Sequence, residues 1–315
     1  MSQETNLNVA PYFDDFKATN DYYKVLFKPG YPVQARELNN LQSILQNQIE
    51  KFGQHFFKEG SKVVPGNTTY NDQYAAIELE PTFLGIPLSN YLGQIVGAKL
   101  TGLTSGVTAI ATKCVLGKDS ERGNPTLYVS YLGSDSTNNS SSIFADNEML
   151  SANIDIIAGN STIASGEPFA NTLSVNASSV GSSFSIANGV YFAKGQFVEV
   201  NDQTILLEQF STTPSYRIGL LINEQIINSD ADPTLNDNSR GFNNYSAPGA
   251  DRLKITTSLI KKDLDDYDDN NFVELAIVEN GVLRSNKTTP SYNILQDELA
   301  RRTYAESGDY YVKPF

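Results

Sequence analysis

A mainly β chain with one substantial helix near its start is what this sequence predicts, and three observations predict it. Large apolar residues recur at intervals of three and four through residues 34–58, the spacing of one helical face. Elsewhere short runs rich in Val, Ile, Thr, Tyr and Phe alternate with Gly, Pro, Asn and Ser, at roughly 12 to 15 residue intervals in the clearest stretch, the rhythm of small sandwiches or barrels. Charged residues make up only 19%, and Ser, Thr, Asn, Gln and Gly fill their place, a neutral polar balance common on β-rich surfaces. At 315 residues the chain is long enough for two or three cores. The expected fold is therefore mainly β with one substantial N-terminal helix, multidomain, built of small β-barrel or sandwich modules. The expected divisions are an aromatic-rich arm over residues 1–33 and a helix plus hairpin, part of the main domain, over 34–87. An inserted small β domain over 88–172 and a β domain with a C-terminal short helix and strand over 173–315 complete it.

Each element has a local reason. The arm carries Tyr12, Phe13, Phe16, Tyr22, Tyr23 and Phe27 without any period, and Lys28-Pro29-Gly30 turns it, since Pro fixes φ and Gly accepts a positive one. Such aromatics need something to pack against: the next helix, the rest of the chain, or a neighbouring subunit. The helical stripe is Leu38, Leu41, Ile44, Leu45, Ile49, Phe52 and Phe56, with Gly60 as a stop. Gln48 and His55 interrupt a strict heptad seam, so packing on β-structure is favoured over a coiled coil. The stripe is wide enough to touch both its own sheet and a neighbour, while Gln42, Gln46, Asn47 and Gln54 suit the other face to a wet interface.

Val63-Val64 and Tyr74-Ala75-Ala76-Ile77-Glu78-Leu79 read as the strands of a hairpin. Residues 93–102, 107–116 and 126–132 read as strands, 133–142 as an exposed Ser/Asn loop, and 144–150 as a helical turn or an edge. Asn188-Gly189 signals a hairpin within 184–200. Strands at 204–208, 215–222, 253–260 and 272–278 follow, and Asn280-Gly281 turns the chain towards Val282. A short amphipathic segment then leads into Tyr310-Tyr311-Val312-Lys313-Pro314-Phe315, a strand-prone tail whose Pro suits an edge or a strand end. Tyr304 and Tyr310 are expected to pack on the β domain formed after residue 184, and residues 312–315 to reach a boundary with another subunit or protein.

The composition argues against several classes of chemistry. A net charge of −13 and no dense basic patch argue against nucleic-acid binding, which depends on Lys and Arg neutralising phosphates. With a single Cys114 and a single His55, intrachain disulfides, cysteine zinc sites and histidine-based triads are absent by count. Cys114 lies in a strand-like run and reads as a buried thiol. The acidic run at residues 263–270 lacks the Gly and the terminal Glu of an EF-hand loop, so it reads as a solvated loop first and a cation loop second, as do residues 228–238. No run of eighteen apolar residues occurs, so no membrane insertion is expected, and residues 1–9 lack the apolar core of a signal peptide. A pair of carboxylates for glycoside hydrolysis is a spatial feature that sequence does not reveal, but the absence of Trp weakens the case for a sugar-cleaving cleft.

Longer segments carry a resemblance. Asn8-Val9-Ala10-Pro11-Tyr12-Phe13-Asp14-Asp15-Phe16, then residues 22–38 and 40–53, then Ala247-Pro248-Gly249-Ala250-Asp251-Arg252-Leu253-Lys254-Ile255 and residues 299–310, are similar to a family of virion structural proteins of tailed phages. The family is seen especially in contractile-tailed phages of marine cyanobacteria, is described as baseplate or tail-fibre related, and carries a domain of unknown function. Members are often longer, continuing past the equivalent of Phe315 into fibre-like regions. The resemblance implies a structural protein of the virion tail or baseplate that anchors or presents a fibre. Its implied partners are itself, as a homotrimer, and other baseplate or tail-fibre proteins; it implies no enzyme activity, no cofactor and no metal. The alternative expectation is a receptor-binding protein that recognises host surface polysaccharide or protein through residues 88–172. Large aromatics dominate interface energetics, so the candidate interface residues are Tyr12, Phe13, Phe16, Tyr22, Tyr23, Phe27, Leu38, Leu41, Leu45, Ile49, Phe52, Tyr311 and Phe315.

Overall fold

The structure, a computed structural model, describes residues 5–64, 66–134, 142–159, 161–286 and 294–308. It is mainly β, with a long helix α1 (Ala35–Phe56) and a second, shorter helix α2 (Ile294–Ser307). The largest sheet has eight strands, all antiparallel to their neighbours. From one edge to the other they are Pro168–Asn171, Met149–Ala152, Lys99–Gly102, Val107–Val115, Thr126–Ser134, Thr68–Glu78, Ser178–Ile186 and Gln203–Glu208. A four-stranded sheet of Arg252–Lys262, Tyr216–Ile227, Phe272–Glu279 and Val282–Asn286, and a three-stranded sheet of Ser61–Val64, Gly189–Ala193 and Gln196–Val200, make up most of the rest. The barrel alternative is corrected: every sheet among the described residues is open.

Two apolar cores lie on this frame. The first gathers buried side chains between Ile77 and Ala170, among them Leu79, Leu100, Val107, Leu127, Phe144 and Phe169. Two short 3₁₀ turns, Leu88–Asn90 and Leu92–Ile95, plug it with Leu88, Tyr91, Leu92 and Ile95, and the buried Tyr91 hydroxyl donates to the Phe169 carbonyl at 2.7 Å. The second core runs from Phe184 to Val278 and joins all three major sheets through Tyr191, Val200, Leu207, Leu220, Leu259 and Val273. Strands Thr68–Glu78 and Ser178–Ile186 pass from one core to the other. Their register runs from Ile77 opposite Ser178 to Thr68 opposite Ile186. Along it, Ile77 enters the first core and Tyr70 packs on the second. Between them Tyr74 stacks on Tyr128, centroids 5.0 Å apart and planes 18° from parallel. Residues 88–172 thus have a core largely their own, yet they share a ladder with the flanks, where Ala76, Ile77 and Glu78 pair with Tyr128, Leu127 and Thr126.

Several local expectations are corrected. Val63-Val64 and residues 74–79 are strands but not each other's partners: Ser61–Val64 pairs with Gly189–Ala193, while Thr68–Glu78 lies between Thr126–Ser134 and Ser178–Ile186. Asn188-Gly189 does not close a hairpin. It carries the chain from the eight-stranded sheet to the three-stranded one, and Asn188 and Asp202 each accept the other's backbone N–H through their side chains, at 2.6 and 2.8 Å. The tight two-residue turn comes later, at Lys194-Gly195, where both residues have positive φ (51° and 73°), the backbone of a type I′ turn. Asn280-Gly281 turns the chain in the same way, with φ of 49° and 76°. Of residues 93–102 only Lys99–Gly102 is a strand. Residues 144–150 are no edge: Phe144 is buried and Met149–Ala152 is an inner strand. Tyr304 is exposed rather than packed on the β domain, while Tyr310 and residues 312–315 lie outside the described residues.

The least expected polar group is Glu148, only 1% exposed. Its carboxylate accepts from the backbone N–H groups of Thr104, Ser105 and Ala145 and from the Ser105 hydroxyl, tying the turn after Lys99–Gly102 to the loop before Met149–Ala152. Removing it would strand several donors in a buried site, each costing roughly 1–3 kcal/mol. Glu148→Ala is therefore expected to lower unfolding stability by about 3 kcal/mol or more, read by chemical denaturation.

The tyrosines add a pH dependence. Burial pushes Tyr91 and Tyr191 up to about 12 and raises Tyr128 as well. Tyr216 is pushed up to about 12, first by the hydrogen bond it donates to Glu208 and then by burial. These phenols stay neutral in the folded chain where the unfolded chain, titrating near about 10, has released the proton. The unfolded state then binds fewer protons, so stability falls as pH rises from about 10 towards 12. Thermal melts over that interval should show a falling midpoint, with phenolate absorbance from these residues appearing together with unfolding.

Candidate assembly surface

Helix α1 is amphipathic, and its orientation follows from what holds each side. At its start the Gln34 N–H donates to the Glu37 carboxylate at 3.0 Å, and at its end the Phe57 N–H bonds the Gly53 carbonyl at 2.8 Å. Gly53 lies against the Phe192 ring so closely that a Cβ there would sit 2.3 Å from a ring carbon. The next aromatic, Phe57, packs on Phe192 and Phe197, with centroids 5.9 and 5.7 Å away. These contacts fix the helix's C-terminal end on the three-stranded sheet.

Further along, the polar face of α1 holds the arm. Asp14, 9% exposed, accepts from the Asn40 side-chain amide at 3.0 Å and from the Ser43 hydroxyl. The Asn39 amide donates to the Tyr12 carbonyl at 3.1 Å, and the Tyr12 hydroxyl donates to Asp251. Thr5 reaches Glu224 through its N–H and its hydroxyl, at 2.8 and 2.6 Å. A cleft of about 610 Å³ remains between the arm, the helix and residues 250–253, and its Tyr12, Asp14, Asn39, Ser43 and Asp251 are engaged in these bonds.

With its polar side occupied, α1 turns its apolar stripe outwards. Leu38 is 49% exposed, Leu41 38%, Leu45 57%, Ile49 44% and Phe52 60%, and only Ile44, on the flank, is a buried large apolar residue of this helix. None of these exposed residues joins either core: Asp14 and Asn40 hold the side of the helix away from them, and Gly53, on their flank, is set against Phe192. Along the arm, Phe13, Tyr22, Tyr23, Leu26, Phe27, Tyr31 and Val33 are exposed as well. Burying an aliphatic or aromatic side chain is worth about 1.5–3 kcal/mol, so leaving this many half-exposed forfeits an amount comparable to the stability of a domain. An exposed apolar row such as that on α1 is the kind of surface that marks an interaction site.

The sequence-derived interface residues thus divide in three. Tyr12 and Phe16 are partly buried against their own chain. Phe13, Tyr22, Tyr23, Phe27, Leu38, Leu41, Leu45, Ile49 and Phe52 are exposed, the last five of them along one face of α1. Tyr311 and Phe315 lie outside the described residues. What sequence reasoning missed is the lock of Asp14, Asn39, Asn40 and Ser43; the one available signal was an unbroken polar face on a helix that was expected to need a core.

Other chemistry is sparse. Among the described residues no group of three or more His, Cys, Asp or Glu side chains is arranged to hold a metal ion. In the acidic loop after residue 262, Lys262 pairs with Asp266 at 3.3 Å and Asp269 at 3.1 Å. The Asn271 N–H, then Lys262, draw Asp269 below the usual carboxylate range. Asp232 caps a short turn through Thr234, whose hydroxyl and N–H lower its pKa. Cys114 is half-buried, and burial pushes its thiol up, away from thiolate chemistry. His55 stands edge-on to Phe56, centroids 5.3 Å apart. No helix among the described residues is long and apolar enough to cross a membrane.

Residues 10–87 and 136–315 match a family model described as Domain of unknown function (DUF4815). The chain belongs to the DUF4815 family. No curated protein and no solved structure matches it. The DUF4815 match takes in the lock and the stripe, and it leaves out residues 88–135, which supply three successive strands in the middle of the eight-stranded sheet.

The lock is directly testable. Asp14→Ala removes the acceptor for Asn40 and Ser43 and is expected to release the arm at a cost of about 1–3 kcal/mol, leaving both cores intact. Hydrogen exchange should show faster exchange confined to residues 7–16, with the sheet amides unchanged.

Proposed function

We propose that this DUF4815 protein is a structural component of a phage tail, at the baseplate periphery or the site of fibre attachment, where it anchors or presents a fibre. The observation that carries the reading is the outward apolar stripe of α1, together with the exposed aromatics of the arm. Its work is binding and geometry rather than catalysis. Its partners are copies of itself, as a homotrimer, and other baseplate or tail-fibre proteins, and its location is the virion tail. The phage assignment draws on the similarity of residues 8–16, 22–38, 40–53, 247–255 and 299–310 to tail structural proteins. The charge of −13 speaks against a nucleic-acid partner.

A second reading, recognition of a host surface polysaccharide or protein, is favoured by one observation. Residues 88–135 fall outside the family match, and a segment added to a shared frame is a natural carrier of a member's own specificity. Binding of the full chain to host surface polymer, with adsorption blocked by added protein, would favour this reading over the mechanical one.

Deleting residues 1–30 tests the anchoring role. Expressed in place of the complete chain during infection, the shortened protein is expected to fold yet be lost from purified particles, measured by quantitative mass spectrometry against the capsid protein. Undiminished incorporation would remove the arm from the assembly contact.

A further inference from the structure

We infer that the outward stripe of α1 is a seam between copies of this chain, in which α1 packs against α1 along its length. The inference deepens the assembly reading and rests on it, because it names what covers the exposed face.

The period of the stripe fits a second α1. Leu38, Leu41, Leu45, Ile49, Phe52 and Phe56 are separated by three, four, four, three and four residues, so Leu38, Leu41 and Leu45 repeat as Ile49, Phe52 and Phe56 eleven positions on. An eleven-residue repeat corresponds to about 3.67 residues per turn, close to the 3.6 of a straight helix. The stripe therefore drifts by only about 20° per repeat and stays on one side for about 27 Å. The heptad test that Gln48 and His55 fail is the wrong test here, since both lie beside the eleven-residue stripe. A straight apolar ridge is covered along its whole length by another helix of the same pitch; the chain's own α2 touches α1 but leaves Leu38, Leu41, Leu45, Ile49 and Phe52 between 38% and 60% exposed, and a second copy supplies the missing helix.

The chemistry of the margins fits a second copy as well. The chain carries −13, yet the residues that border the stripe are neutral: Gln48 and His55 on one side and, on the other, Gln42 and Gln46, which also line the cleft towards residues 250–253. Glu50 and Lys51 sit on the far side of the helix, and Glu37 is drawn to the helix start by the Gln34 N–H. A partner of opposite charge would call for a charged margin. A neutral one lets two equally acidic chains approach without like charges meeting at the contact. Gln is also self-complementary, since its amide both donates and accepts, so symmetry-related glutamines can satisfy one another.

The face is also built to stay outside. Gly53 against Phe192, and Asp14 with Asn40 and Ser43, fix the rotation of α1 and prevent the stripe from folding back onto its own sheets.

The test is made on the purified full-length chain. Sedimentation velocity across a concentration series is expected to give multiples of the 34.5 kDa protomer. The double substitution Leu45→Glu, Ile49→Glu should return it to the protomer mass with an unchanged far-ultraviolet circular-dichroism spectrum, since both side chains are exposed in the single chain; its thermal midpoint should lose the concentration dependence that association gives the wild type. Ile157→Glu, an equally apolar exposed position on a distant hairpin, should leave the oligomer intact. As a measure independent of stability, Leu45→Cys should be cross-linked to a second copy by a short bismaleimide, and Lys51→Cys should not. A wild-type chain that stays monomeric at every concentration, or an oligomer that survives the double substitution, would overturn the seam. Incorporation into particles is read separately, so a monomeric chain still found in virions would refute the seam and leave the tail assignment standing.

Discussion

The antiparallel pairing of Thr68–Glu78 with Ser178–Ile186 is the constraint on which the rest of the molecule depends. The two strands are about a hundred residues apart in the chain, and their ladder is where the two cores meet. A strand that buries Ile77 at one end and packs Tyr70 at the other cannot slip by one residue without turning both to the wrong face. The stacked pair of Tyr74 and Tyr128 stiffens the crossing point, with Tyr74 sharing a hydrogen bond with Thr112 and Tyr128 donating to the Gln209 carbonyl. Contacts of such long sequence separation form late and slowly, so the two units are unlike independent beads on a linker.

Against that rigid frame α1 is held by a small set of contacts. Phe57 and Gly53 meet an aromatic cluster at one end, and a buried carboxylate supported by Asn40 and Ser43 meets the helix in its first half. Polar contacts of this kind contribute about 1 kcal/mol each, less than the apolar stripe would gain from a core. The arrangement is nevertheless specific, because a carboxylate such as Asp14 tolerates few alternative seats once it is withdrawn from water. Specific polar contacts thus decide which way the helix faces, and the apolar surface is left exposed.

The elements were largely legible in the sequence, and their partners largely were not. Period alone located α1 to within two residues at each end, and it located most strands, because side-chain alternation is a local property. Asn280-Gly281 turned the chain as its residues require. Asn188-Gly189 did not, because its preferred turn lost to the pull of Phe184 and Tyr191 towards one core from two different sheets. Lys194-Gly195 took the tight turn with a less typical first residue. Among the candidate site residues, the aromatics of the arm and the stripe could be nominated by size and spacing. Their exposure could not, since it depends on Asp14 reaching Asn40 and Ser43 across twenty-six and twenty-nine residues.

The three central strands at Lys99–Gly102, Val107–Val115 and Thr126–Ser134 carry a consequence of parity. Every neighbour in the eight-stranded sheet is antiparallel, so Met149–Ala152 and Thr68–Glu78, with three strands between them, run in the same direction. Excising an odd number of strands and closing the gap would set these two side by side as a parallel pair. The outer strands would then need to reverse direction, or to leave the sheet. Residues 88–135 are therefore more than a decoration grown from an edge: with them present, their number sets the polarity of everything beyond.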